Sequence, residues 1–72
     1  MKLLADAFLY GIVDLGYVND DDVPRVAEEM VAGGVDVVQL RAKDRGEHDI
    51  ESLGRILVEI TRAAGIPLII ND

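Results

Sequence analysis

The sequence predicts an α/β fold: a βαβαβ unit with three parallel strands. The elements alternate strand, helix, strand, helix, strand along 72 residues, and the connections between them are short. The three strand segments are apolar on both faces, as in parallel sheets covered on either side. Phe8–Val13 is apolar apart from Gly11 and closes at Asp14, so it reads as a strand buried on both faces. Leu15–Asp20, containing Gly16 and Asn19, reads as loop. Asp22 is then a fitting N-cap, and Pro24 falls in the first helical turn, where its missing N–H costs little. Val23, Val26, Ala27, Met30 and Val31 make an amphipathic stripe that Gly33-Gly34 stops.

Val35–Leu40, rich in valine, is the second strand, followed by a polar loop over Arg41–Glu47. A longer helix is expected from near Asp49, with Ile50, Leu53, Ile56, Leu57, Ile60 and Ala64 on its core face. Glu51 and Arg55 form an i,i+4 pair on its wet side, worth about 0.2–0.5 kcal/mol. Gly65 ends that helix with Pro67 just beyond, and Leu68-Ile69-Ile70 is a third buried strand running into Asn71-Asp72. Right-handed crossovers make such a chain either an open doubly wound sheet or the opening third of a (β/α)8 barrel, and periodicity does not separate the two.

Composition narrows the function. Seven Lys+Arg face 14 Asp+Glu, a formal net charge of −7, with 50% apolar and 29% charged residues. That is globular, not disordered. An acid excess argues against nucleic acid, whose backbone needs a basic face, yet it leaves room for a small phosphorylated ligand held by a few local cations. The absence of cysteine rules out disulfides, zinc-thiolate sites and thiol catalysis, and fits a cytoplasmic protein. No apolar run approaches the roughly 20 residues of a membrane span, and Asp6 interrupts the only stretch resembling a leader.

The residues that carry chemistry cluster at strand ends. In an extended chain Val37, Gln39, Arg41 and Lys43 share one face, while Val38 and Leu40 share the other, against the helices. A face that turns from Val to Gln, Arg and Lys at its carboxyl end is leaving a core for a polar mouth, where ligands bind in parallel α/β folds. Arg offers a planar fork for phosphate oxygens, Lys a compact charge, and Gln an amide that donates and accepts. The bland alternative is a solvated cationic loop. Asn71-Asp72 follow the third strand at the same end. A carboxylate beside an anionic ligand needs a cation between them, and Mg²⁺ is commonly held by one or two carboxylates together with phosphates. The competing reading is a turn, for which Asn and Asp are favoured. Strict alternation sets Asn71 and Asp72 on opposite faces, so both reach one ligand only if the backbone turns there. Asp20-Asp21-Asp22 could bind a cation, but helix capping and dipole complementation account for acids there, and His48 stands alone near a helix start, as a surface histidine does. Tyr10 and Asp14 lie on or after the first strand, near the same mouth. No Walker loop, Gly-x-Gly-x-x-Gly or Ser-His-Asp set is present.

Taken together, Leu9-Tyr10-Gly11-Ile12-Val13-Asp14, Ala32-Gly33-Gly34-Val35, Gln39-Leu40-Arg41-Ala42-Lys43 and Gly65-Ile66-Pro67-Leu68-Ile69-Ile70-Asn71-Asp72 resemble the first part of the thiamine-phosphate synthase family, from about Phe8 onward. Gly11 departs from it, standing where a larger apolar residue is common, and Val13 precedes Asp14 where Thr is usual. The resemblance implies a (β/α)8 barrel that couples hydroxymethylpyrimidine diphosphate with a thiazole phosphate, releasing pyrophosphate and forming thiamine phosphate. It implies that Gln39, Leu40, Arg41, Ala42 and Lys43 bind the pyrimidine diphosphate, with Arg41 and Lys43 on its phosphates. Asn71 would touch the same substrate and Asp72 would ligate Mg²⁺. Such a barrel runs to about 200 residues or more, so residues 1–72 are expected to form a single, incomplete amino-terminal unit. The alternatives are a thiazole tautomerase-like relative, or an inert fragment that self-associates through open sheet edges.

Overall fold

A computed structural model describes residues 8–71. Its elements follow the predicted order: β1 (Tyr10–Asp14), α1 (Val23–Ala32), β2 (Val37–Arg41), α2 (Glu47–Ala64) and β3 (Leu68–Asn71), with a short 3₁₀ turn at Asp20–Asp22 before α1. The strands form one parallel sheet in the order β1-β2-β3. This is the βαβαβ arrangement of an α/β protein, consistent with part of a (β/α)8 barrel.

Alternation decides which residues meet the helices. Val13, Val38 and Leu40 are fully buried and pack with Val23 and Ala27 of α1 and Leu53 and Leu57 of α2. Burying side chains of this size stabilises by about 1.5–3 kcal/mol each. Gly11 belongs to the same face, and its missing side chain admits α1. A Cβ there would lie 2.7 Å from Met30 Sδ and 3.2 Å from Val35 Cγ1. α1 stops at Gly33, and α2 ends at Gly65, whose φ of 72° is the left-handed cap that glycine adopts without penalty.

The opposite face of the sheet corrects the sequence reading. Tyr10 and Ile12 on β1 and Ile69 on β3 are 52%, 50% and 40% exposed, so β1 and β3 are not buried on both sides. Apolar composition registers that a surface avoids water, and the described residues leave much of this face open, although Val37 on it is buried; on the helix side Ile70 is also 46% exposed. α2 also differs in detail. It starts at Glu47 rather than near Asp49, and Ile56 and Ala64 are exposed. Gly54 and Thr61 take core positions instead. Thr61 tolerates burial because its Oγ1 donates to the Leu57 carbonyl at 3.0 Å. Gly54 is buried because α2 approaches β3 there, with Ile70 Cδ1 only 3.1 Å from where a Cβ would stand. Asp22 occupies the N-cap of α1 but makes no capping hydrogen bond; its carboxylate lies 3.8 Å from Arg25. The Glu51–Arg55 pair forms as expected at 2.8 Å.

Candidate functional site at the carboxyl ends of the strands

The parallel register gathers polar residues into rows. Ile12, Gln39 and Ile69 are cross-strand partners, and one step further along so are Asp14, Arg41 and Asn71. Partners in a parallel ladder point to the same side of the sheet. The uncovered face therefore passes from apolar side chains, through the Gln39 amide, to a carboxylate, a guanidinium and an amide at its mouth. The ladder continues past the strands: Leu15 N–H donates to the Arg41 carbonyl at 3.0 Å, and Ala42 N–H donates to the Asn71 carbonyl at 2.9 Å.

Asp14 is more than the end of a strand. Its Oδ1 accepts the Gly16 N–H at 2.8 Å, and its carbonyl accepts Tyr17 and Val18 N–H groups, both at 2.9 Å. This local turn aims Oδ2 at Arg41, whose Nε lies 3.7 Å away. Arg41 is about half exposed and, among the described residues, holds only this long contact, which leaves its terminal nitrogens unengaged by them. The Gln39 and Asn71 side chains make no hydrogen bond to other described residues.

The expected alternation Gln39–Arg41–Lys43 holds as far as Arg41. Ala42 is fully buried, and the chain then turns, with Arg45 N–H donating to the Ala42 carbonyl at 3.3 Å and Asp44 at φ 65°. A positive φ at the third position is what a type II turn requires. Lys43 rides on this turn, exposed and without an ion pair among the described residues. Leu40 and Ala42 bury their side chains toward the helices and present only main chain to the mouth. Asp72, the expected magnesium ligand, lies outside the described residues. His48 is exposed, as expected of an isolated surface histidine.

Residue-type reasoning missed the strongest ion pair at this end of the sheet. Arg45 in the β2–α2 loop donates from two nitrogens to both oxygens of Asp20, at 3.0 and 2.8 Å, and its guanidinium lies 4.0 Å from Asp49. Hydrogen bonding by Arg45 holds the Asp20 carboxyl below the usual aspartate range, against the opposing effect of desolvation, and the same bonds raise Arg45. A separation of 25 residues hides such a partnership from any local pattern.

Among the described residues no three potential metal ligands come together. The Asp14 carboxylate and the Asn71 amide are nevertheless hard oxygen donors flanking the mouth. Such chemistry fits a cation that takes few protein ligands and completes its shell with substrate oxygens and water. Two surface hollows lie elsewhere, one between α2 and β3 around Gly54, Val58 and Ile70, the other between α1 and α2. Both are apolar and rimmed by glutamates, which suits helix packing better than an anion. No described helix is long and apolar enough to cross a membrane.

Comparison with known proteins places the chain among relatives of one kind. A thiamine-phosphate synthase of Caldanaerobacter subterraneus is 37% identical over 67 residues, covering 93% of this chain and 31% of that protein. Those of Solidesulfovibrio magneticus and Halalkalibacterium halodurans are 39% and 36% identical, over 100% and 96% of this chain and 34% and 33% of their own lengths. The chain thus spans about a third of the length of the curated relatives it matches. No solved structure matches it significantly. Residues 9–72 match the family described as thiamine monophosphate synthase, and with nearly the whole chain so matched, the protein belongs to that family.

Proposed function

We propose that this chain is the amino-terminal, pyrimidine-diphosphate-binding part of a thiamine-phosphate synthase, with residues 1–72 forming one incomplete unit of a (β/α)8 barrel. The observation that carries the reading is the in-register row Asp14–Arg41–Asn71, with Gln39, whose amide bonds no other described side chain or backbone group, one step below it. Phosphate oxygens arriving at this mouth meet the Arg41 fork and the compact charge of Lys43. Leu40 and Ala42 contribute through their main chain, and the Asn71 amide orients the same substrate. Breaking the pyrimidine–diphosphate bond leaves charge on the departing diphosphate, so the demand on these residues is electrostatic. Asp72 is assigned to hold Mg²⁺ together with substrate oxygens, and the bound cation would supply charge neutralisation on the diphosphate. Asp14, 3.7 Å from Arg41, keeps that guanidinium in place without consuming its terminal donors. Coupling to the thiazole phosphate belongs to the complete barrel, and phosphorylated substrates of this kind suit the cytoplasm.

A second reading applies to the chain in isolation. The exposed Tyr10, Ile12 and Ile69 and the open edges of β1 and β3 favour self-association over catalysis. The test is a Mg²⁺-dependent coupling assay on two proteins. One is the 72-residue chain; the other is that chain fused to the remaining two thirds of the Solidesulfovibrio magneticus relative. The fusion should couple the two substrates with release of pyrophosphate from the pyrimidine diphosphate, and the short chain should bind hydroxymethylpyrimidine diphosphate without turnover. A folded fusion that neither binds the diphosphate nor couples it would overturn the assignment.

A further inference from the structure

We infer that Arg45 and Asp20 form a positioning clamp that holds the β2–α2 loop, and with it Lys43, ready for a diphosphate; the inference rests on the function proposed above. Between the buried Ala42 and Arg45, Lys43 and Asp44 form an exposed turn at the mouth. Lys43 has no partner among the described residues, and Asp44 sits at a positive φ that only a few side chains tolerate. What ties the loop down lies across the mouth. Asp20 opens the 3₁₀ turn that leads into α1, and both of its oxygens are taken by the two terminal nitrogens of Arg45. Arg45 is also the best-covered arginine in an ion pair, with 27% of its side chain exposed against 52–78% for the others. A two-pronged arginine–carboxylate contact fixes orientation as well as distance, so it joins the β1–α1 connection to the β2–α2 loop as one body. Neither residue is assigned to touch substrate. Their role is to order Lys43 before the ligand arrives, which lowers the conformational cost of binding.

The sign of one substitution separates this role from plain electrostatics. Asp20 is an acid near a mouth that takes an anion, so deleting its charge should by Coulomb's law strengthen binding. The clamp requires the opposite. Asp20→Asn should weaken binding of inorganic pyrophosphate with Mg²⁺ by about two- to tenfold, the cost of ordering one long side chain on binding. Arg45→Gln should weaken it similarly, the double variant no more than either alone, and the exchanged pair D20R/R45D should recover part of the loss. Titration calorimetry on the 72-residue chain and on the fusion reads these affinities. Hydrogen exchange of the Arg45 amide, bonded to the Ala42 carbonyl, reads loop order without any ligand. That exchange should quicken in both single variants while exchange in α2 stays unchanged. Unchanged or tighter pyrophosphate binding by Asp20→Asn, or an Arg45 amide as protected as in the parent, would overturn the clamp and leave the proposed function standing. Failure of the parent itself to bind pyrophosphate would instead remove the function and the clamp with it.

Discussion

Replacing Gly11 by alanine probes how closely α1 is seated on the sheet. The new methyl would stand 2.7 Å from Met30 Sδ, 3.3 Å from Met30 Cγ and 3.2 Å from Val35 Cγ1. Comfortable separations between such atoms are about 3.5–4.0 Å, so the sulfur overlaps by about 1 Å. Met30 can swing, but it is half-buried against the core, and Val35 is stiff about χ1. Overpacking of this kind costs about 1–3 kcal/mol, while exchanging a strand glycine for alanine returns about 0.5–1 kcal/mol. Gly11→Ala should therefore destabilise by roughly 0–2.5 kcal/mol. Met30→Ala loses packing on its own account but removes the obstacle. In that background Gly11→Ala should become neutral or stabilising, giving a coupling energy of about 1 kcal/mol or more. Urea unfolding of the four proteins, followed by far-ultraviolet circular dichroism with equal m-values, closes the cycle. Additivity within about 0.5 kcal/mol would show that Met30 does not fill the space above Gly11.

Three further outcomes follow from the site. In the fusion, Arg41→Ala should weaken hydroxymethylpyrimidine diphosphate binding by about 1.5–3 kcal/mol, the range for a charged hydrogen bond, and unaltered affinity in calorimetry would remove Arg41 from the site. Asp72→Ala in the fusion should raise the Mg²⁺ concentration needed for turnover with little change in thermal unfolding; an unchanged Mg²⁺ profile would contradict its assignment as ligand. Because Asp20 has its carboxyl lowered by Arg45 in the folded chain, its contribution to stability is complete above the ordinary aspartate value of about 3.9 and fades as pH falls through the lowered one. The thermal midpoints of the parent and Asp20→Asn should thus converge on acidification from about pH 6 toward pH 2, and a constant gap would deny the linkage.

The element order, the helix stops at Gly33 and Gly65, and the shared face of Gln39 and Arg41 were all legible in the sequence. They depend on local rules: side-chain period, the missing Cβ of glycine and the fixed φ of proline. The motif Gln39–Lys43 with Asn71-Asp72 carried the family resemblance by order and spacing alone, which needs no coordinates. Tertiary structure decided what distance along the chain conceals. Periodicity reports which residues share a face but not whether anything covers it, so Tyr10, Ile12 and Ile69 read as buried and emerged exposed. Thr61 and Gly54 entered the core because a hydroxyl can bond its own helix and a bare Cα admits a strand, neither of which a hydrophobic pattern registers. Only the folded sheet set Asp14 beside Arg41 and Asn71, since register depends on how strands slide against each other as the helices pack. The Asp20–Arg45 bridge likewise exists because two crossover loops return to the same end of a parallel sheet, bringing opposite charges within bonding distance across 25 residues.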